Sequence, residues 1–209
     1  MSSFAKRFAD ILFSGSALLI TAPLMAAIAL TIRLSAGRPV LFRQKRPGYK
    51  GKPFTLLKFR TMNPARDARG SLLPDAERLT PIGRLLRQQS LDELPQLWNV
   101  FRGDMGLVGP RPLLMQYMDR YTQNQARRHD VRPGITGWAQ INGRNVLTWE
   151  QKFALDLWYV DHWCLLLDFR ILLQTVWQVL TQRGISFEGY ATMPEFMGNR
   201  DQRVCGSTK

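Results

Sequence analysis

Hydrophobic and polar positions divide the chain into zones of different period. Residues 11–32, ILFSGSALLITAPLMAAIALTI, contain no charged side chain. As a helix this run is ~33 Å long, about one hydrocarbon thickness. Pro23 stands near its middle, where it removes one helical hydrogen bond and predicts a kink. Residues 40–43 and 54–59 flank the turn Pro47-Gly48-Tyr49-Lys50-Gly51 and predict a short β-hairpin. Residues 63–79 are polar and loop-like. Thr80-Pro81 then opens a helix to about Gln89, with Thr80 as N-cap and Pro81 at the first position. Ser90-Leu91-Asp92-Glu93 has a capping-box pattern and predicts a second helix through Val100, its first turn disturbed by Pro95. A Gly/Pro-rich loop at 103–112 precedes an expected helix over about 113–129, and a second such loop follows at 132–138. A long helical stretch covers about 149–183, broken near His162, with Trp149, Trp158, Trp163 and Trp177 among many leucines. That density suits a core, or a helix lying at a membrane interface. Beyond Gly184 the chain reads as loop.

Three readings of the first zone compete. Lys6 and Arg7 before it and Ala27-Ile28-Ala29 within it imitate a signal peptide. The apolar run is too long for one and continues through Ile32. A helix that spans the membrane usually has one basic flank. Here Lys6 and Arg7 precede the run, and Arg33, Arg38, Arg43, Lys45 and Arg46 follow it. Two basic flanks fit a re-entrant hairpin that enters and leaves on one face. The excess on the C-terminal side still fits a span with the N-terminus outside. The residues by themselves leave both open.

Charge changes the picture further. The 209 residues carry 29 Lys and Arg against 16 Asp and Glu, a net +13. Such a chain expects an anionic partner: nucleic acid, acidic lipid or a phosphorylated substrate. Residues 33–60 hold nine basic side chains and no acid, placed for lipid headgroups directly after the apolar run. Two cysteines and two histidines exclude a disulfide framework, a four-thiolate zinc site and a histidine-rich metal site. Chemistry must therefore rest on carboxylates, Lys, Arg or Tyr.

The sharpest candidate is Asp92-Glu93. Two acids in a first helical turn are ordinarily caps that offset the helix dipole. Their surroundings point elsewhere. Arg84 and Arg87 lie on the preceding helix, Arg111 sits between two prolines, Arg132 precedes a Pro-Gly turn, and Lys58 and Arg60 close the hairpin. Cations around adjacent carboxylates suit a phosphate-rich substrate with Mg²⁺, and a carboxylate can itself attack phosphorus. The segment 103–109 lacks the lysine and spacing of a phosphate-cradling loop.

Taken together, KFRTM (58–62), SLDELPQLWNV (90–100), GDMGLVGPRPLL (103–114) and VRPGITGWAQINGRN (131–145) strongly resemble the bacterial sugar transferases, monotopic phosphoglycosyl transferases that begin glycan assembly on a polyprenol carrier. The nearest likeness is to the small type acting on UDP-N,N′-diacetylbacillosamine in protein glycosylation. The resemblance implies transfer of a phosphosugar from a UDP-sugar to undecaprenyl phosphate, with release of UMP and a requirement for Mg²⁺. It implies that Asp92 is nucleophile and Mg²⁺ ligand, and that Glu93 assists the incoming polyprenyl phosphate. It implies that Lys58, Arg60, Arg87, Arg111 and Arg132 hold phosphates, with Arg144 and Asp156 as further substrate-binding candidates. The family breaks its re-entrant helix at a Ser-Pro pair. This chain has Ala22-Pro23, with Thr21 able to supply a backbone-directed hydroxyl.

The expected fold is therefore α+β and mostly helical. Residues 1–36 form a re-entrant membrane helix kinked at Pro23. Residues 37–198 form a cytoplasmic transferase domain with a short β-hairpin and interfacial amphipathic helices. Residues 199–209 form a flexible tail. The expected location is the cytoplasmic face of the bacterial inner membrane, among membrane lipids and downstream glycosyltransferases. Sugar contacts are expected in the C-terminal part, including 187–196. UDP-N-acetylgalactosamine or another N-acetylated donor is the alternative substrate, and a non-catalytic membrane scaffold the alternative role. Nucleic-acid binding, suggested by charge alone, is disfavoured by the apolar run and by the lack of a binding motif.

Overall fold

The computed structural model describes residues 4–143, 147–181 and 195–198. The apolar run forms one long helix, α1 (Phe4–Ser35), with Pro23 inside it. Pro23 has no N–H for the carbonyl of Leu19. The Thr21 hydroxyl donates to the Ala17 carbonyl at 2.7 Å, the backbone-directed contact expected of it. The basic hairpin follows as β1 (Leu41–Pro47) and β2 (Pro53–Phe59), antiparallel, with Leu41 opposite Phe59. Its turn needs left-handed backbone at Lys50 and Gly51, with φ of 54° and 73°. The single turn α2 (Asp75–Arg78) interrupts the loop before α3 (Pro81–Gln88). Thr80 caps α3 as expected, its hydroxyl accepting from the Gly83 amide at 2.9 Å.

Two expectations fail here for local reasons. Ser90 does not cap a helix. It takes left-handed backbone, φ 56°, and its amide donates to the Arg87 carbonyl. The chain passes through a 3₁₀ turn, Leu91–Glu93, and regular helix starts only after Pro95, as α4 (Gln96–Arg102). The stretch 113–129 is likewise not one helix. Met115–Arg120 is 3₁₀, Tyr121 is extended, and Thr122 forms its own capping box with Gln125 to start the short α5 (Gln123–Ala126).

The two Gly/Pro loops each contain a strand. β3 (Gly106–Val108) and β4 (Gly134–Thr136) pair in parallel, Gly106 opposite Gly134. Their backbones approach so closely that a Cβ on Gly134 would lie 2.1 Å from the Gly109 nitrogen. One turn, α6 (Trp138–Ile141), leads towards α7 (Trp149–His162) and α8 (Leu165–Thr181). The expected break near His162 is there.

Four small apolar clusters hold these pieces together. Val108, Ile141, Tyr159, Leu167 and Ile171 join the central strands to α7 and α8. Leu56, Val100 and Met105 join the hairpin to α4. Tyr117, Phe153 and Phe196 form an aromatic cluster. The fourth, Ile28, Ile32, Phe59 and Leu86, docks the C-terminal end of α1. The N-terminal end of α1 docks on the same body by polar contacts. Lys6 Nζ donates to the Val108 carbonyl at 3.1 Å and pairs with Asp168, which also accepts from Tyr159 and Trp163. Arg7 donates to the carbonyls of Val100 and Phe101, and Asp10 accepts from the Leu107 amide. Between the docked ends, Leu19 and Ile20 are 80% and 78% exposed.

Candidate active site

Positioning begins with Asn99, buried on α4. Its side chain accepts from the Leu57 amide at 3.1 Å and donates to the Thr55 carbonyl at 2.8 Å. This fixes β2 against α4 and sets Lys58 over the 3₁₀ turn that carries the acids. Lys58 Nζ lies 2.6 Å from Glu93 Oε1 and 3.9 Å from Asp92 Oδ2. From the other side Arg111 Nη2 reaches Glu93 Oε1 at 2.5 Å. Pro110 and Pro112 restrict Arg111, and Arg46 donates to the Pro112 carbonyl at 3.4 Å.

The two acids are neighbours in sequence and opposites in environment. Burial pushes Glu93 up, but Arg111 and Lys58 outweigh it and hold the carboxyl well below the ordinary range. Asp92 is 7% exposed, and burial raises its pKa, opposed by Lys58 and reinforced by the charge on Glu93. Glu93 is thus a fixed anion. Asp92, with Lys58 at 3.9 Å as its ion-pair partner among the described residues, keeps a carboxylate available for chemistry.

A cavity of about 480 Å³ opens beside Glu93. Arg87, Arg111 and Lys152 are among its charged lining residues, and Leu94, Leu97, Ile135 and Val179 among its apolar ones. Arg87 also donates to the Thr61 hydroxyl at 3.1 Å. Asp156 lines the cavity as half of a buried ion pair, its Oδ2 2.7 Å from Arg128 Nη2. Burial alone would lower Arg128; Asp156 more than reverses this and raises it. Asp156 therefore acts here as a wall that anchors Arg128, which in turn donates to the Arg111 carbonyl at 2.8 Å.

The structure brings together Lys58, Arg87, Asp92, Glu93, Arg111 and Asp156. It does not bring Arg60 or Arg132 to them. Arg60 lies just past the end of β2 and donates to the carbonyls of Ala36, Gly37 and Arg38, closing the end of α1. Arg132 donates to the Gly103 carbonyl at 3.0 Å and lies over the Tyr49 ring. Both cations satisfy orphan helix-end or turn carbonyls, which attract a guanidinium as a phosphate would. Arg144, residues 187–194 and the tail at 199–209 lie outside the described residues. Phe196 belongs to the aromatic cluster.

Sequence reasoning missed Lys152 and Arg128. A signal for Lys152 existed: it stands four residues before Asp156 on α7, hence on the same helical face. Burial and then Arg111 push Lys152 down to about 8. Arg128 had no such signal, because its partner is 28 residues away.

Comparison with known proteins gives a consistent picture. The bacterial sugar transferase family model matches residues 1–182. The chain is 55% identical over 196 residues to the uncharacterized sugar transferase EpsL of Bacillus subtilis, covering 94% of this chain and 97% of that one. It is 41% identical over 191 residues to a UDP-glucose:undecaprenyl-phosphate glucose-1-phosphate transferase of Xanthomonas campestris pv. campestris, covering 86% of this chain but only 39% of the longer relative. A protein of the same description from Caulobacter vibrioides is 41% identical over 191 residues, covering 84% of this chain and 70% of its own.

Proposed function

Because this chain belongs to the bacterial sugar transferase family and is itself a transferase, we propose that it moves a sugar 1-phosphate from a UDP-sugar to undecaprenyl phosphate and releases UMP. The observation that supports this most directly is the Asp92-Glu93 pair. One acid is buried and lightly paired, the other is locked between Lys58 and Arg111 and lines a cavity that Arg87, Arg111 and Lys152 also line.

In this reading an Asp92 oxygen attacks the sugar-bearing phosphorus of the donor. The bond to the bridging oxygen breaks, and UMP leaves with that oxygen. An oxygen of the acceptor phosphate then attacks the same phosphorus, and the bond to Asp92 breaks, restoring the carboxylate. Lys58, Arg87 and Arg111 neutralise the charge that gathers on phosphate oxygens, and most of the acceleration comes from positioning and this neutralisation. Glu93 holds Lys58 and Arg111 at the correct height and orients the acceptor phosphate. Among the described residues no group of three potential metal ligands occurs. One available carboxylate, Asp92, fits a Mg²⁺ ion brought largely by the donor's diphosphate, as such ions keep few protein ligands. Mg²⁺ bound there supplies further charge neutralisation.

The two relatives described as UDP-glucose transferases make UDP-glucose the first donor to test, ahead of UDP-N,N′-diacetylbacillosamine and UDP-N-acetylgalactosamine. The membrane reading is monotopic: both ends of α1 rest on one body, which favours a re-entrant segment, with the domain on the cytoplasmic face of the inner membrane. Such an enzyme performs the first membrane step of glycan assembly and hands its product to downstream glycosyltransferases.

The test is UMP release by purified protein in detergent, with undecaprenyl phosphate, Mg²⁺ and a panel of UDP-sugars. Release with one donor, abolished by Asp92→Asn and by chelation, is the expected result. A folded protein that releases no UMP from any donor tested, while still binding lipid, would instead favour the scaffold reading.

A further inference from the structure

Phe196 stands in the last described segment of the chain, residues 195–198, and beyond residues 1–182, which the family model matches. It is 3% exposed, and its ring meets those of Tyr117, Tyr121, Trp149 and Phe153 with centroids 5.7, 6.0, 5.4 and 5.0 Å away. Polar contacts fix the backbone there. The Phe196 amide donates to the Tyr117 hydroxyl at 3.2 Å. Arg120 donates to the Phe196 carbonyl and, at 2.8 Å, to Glu195 Oε1. Gln116 donates to the same carboxylate oxygen. Residues 195–198 form neither helix nor strand, so their place depends on these side chains. We propose that Phe196 is a positioning residue: packed against Tyr121 and Phe153, it holds Arg128, and through Arg128 the backbone of Arg111, in place.

The assignment rests on the transfer reading above and adds a residue that acts through Arg111. Two rings connect Phe196 to the buried cation. Tyr121 stacks on Phe196 with 26° between their planes, and Phe153 meets it edge to face at 71°. The Arg128 guanidinium lies over both rings, 6.0 Å from the centre of Tyr121 and 5.8 Å from that of Phe153. Arg128 is itself 3% exposed. Its Nε and Nη2 donate to Asp156 Oδ2 at 3.1 and 2.7 Å, and Nη2 also donates to the Arg111 carbonyl at 2.8 Å. Arg111 then pairs with Glu93 through its own guanidinium. The contacts are continuous from the last described segment of the chain to the acidic pair.

A close-packed interior passes a displacement on to its neighbours. Without the Phe196 ring, Tyr121 and Phe153 can tilt into the space it leaves, and the guanidinium over them loses its aromatic support. Arg128 cannot simply withdraw, because that would leave Asp156 a buried charge without its partner. It shifts with the rings, keeps its hydrogen bonds, and carries the Arg111 carbonyl with it. Neutralising charge on a transferring phosphoryl group depends on position: a misplacement of about 1 Å can cost on the order of 100-fold in rate. Phe196 thus spends its ring on the protein's own aromatic rings, and its effect on the reaction is indirect.

The experiment is a double-mutant cycle. Phe196→Ala and Arg111→Lys are made singly and together in the full chain. UMP release is followed with undecaprenyl phosphate, Mg²⁺ and the UDP-sugar that the parent chain consumes. Phe196→Ala should lower kcat about tenfold while KM for the UDP-sugar stays within about threefold. In the Arg111→Lys background the same change should cost less than about twofold, because the group it positions is already altered. Equal losses in both backgrounds overturn the proposal, as does an unchanged kcat in a folded Phe196→Ala. If Phe196→Ala fails to fold, Phe196→Leu, which keeps an apolar side chain, and Arg120→Ala, which frees the backbone at 195–196, take its place with smaller losses read in the same way. A second arm needs no turnover. Amide hydrogen exchange in the variant should speed up in peptides covering 107–114, where the Gly109 amide donates to the Thr136 carbonyl, and stay unchanged in α3. Faster exchange in α3 as well marks general loosening and overturns the proposal. The local change in exchange, found in a protein whose parent consumes no UDP-sugar, overturns the transfer reading and leaves the coupling between Phe196 and Arg111 standing. Turnover with additive losses and unchanged exchange overturns the role of Phe196 and leaves the transfer reading standing.

Discussion

Asp92 and Glu93 differ by one methylene and one position, yet their surroundings give them different work. Glu93 is buried between two cations, so its charge is permanent and its role is to hold Lys58 and Arg111. Asp92 is buried with one cation at 3.9 Å. Asp92→Asn keeps the shape and, on the proposed mechanism, removes the nucleophile. Its kcat for UMP release should fall by at least about 10³-fold, with an unchanged melting temperature. Because burial raises Asp92, activity should disappear on acidification at a higher pH than an ordinary aspartate would dictate. The acid limb of kcat/KM checks this. The alkaline side belongs to Lys152, pushed down to about 8. It is charged below that value and neutral above it. The value of kcat/KM should therefore fall as pH passes about 8, and Lys152→Arg, which stays charged, should remove that limb. At this scale the sequence announced the acids and Arg111 through their motifs. It did not show that Arg60 and Arg132 spend their charge on backbone carbonyls, because a guanidinium near a helix end and one near a phosphate look alike in one dimension.

At the scale of elements, local chemistry foretold what local chemistry decides. Thr80-Pro81 capped α3, the turn residues made the hairpin, and the long apolar segments became α1, α7 and α8. Elements fixed by distant partners were not legible. Strands β3 and β4 have three residues each and pair across 28 positions, so neither shows any period. The Ser90 pattern misled for the same reason: Glu93, which should have reached back to the Ser90 amide, is held by Lys58 and Arg111 instead. The parallel pair is nonetheless central, since it aligns the loop carrying Arg111. A Cβ on Gly134 would meet the Gly109 nitrogen at 2.1 Å, and backbone cannot yield as a side chain can. Gly134→Ala should cost roughly 2–3 kcal/mol. For a chain of this size that lowers the melting temperature by about 4–12 °C, readable by circular dichroism.

On the proposed function the whole molecule faces a two-phase problem: a polar donor in water and an apolar acceptor in lipid. The exposed middle of α1 and the exposed Leu166, Phe169, Leu173, Val176 and Trp177 of α8 supply apolar surface, and the run of basic residues at 33–60 supplies attraction to anionic headgroups, about 1 kcal/mol for each cation near the surface. The double variant Leu166→Lys with Trp177→Lys should weaken binding to vesicles about tenfold or more without altering the melting temperature, as measured by co-sedimentation. Added salt should weaken binding to vesicles rich in anionic lipid and leave binding to zwitterionic vesicles nearly unchanged.

The contact between Lys6 and Asp168 has a meaning in time as well as in space. The partners lie 162 residues apart, and at about 5–20 residues per second the carboxylate is made roughly 8–30 s after the ammonium. On the monotopic reading proposed above, the leading helix would meet the bilayer in that interval with no tether to guide it. The late arrival of Asp168, Tyr159 and Trp163 would then act as an inspection step. Chains whose first turn stayed on the ribosome's side would be latched, and chains whose first turn crossed over would have nothing to latch. Asp168→Asn should therefore increase the fraction of newly made protein whose N-terminus is reachable by an impermeant label from outside the cell, while the apolar segment that made the first choice is untouched.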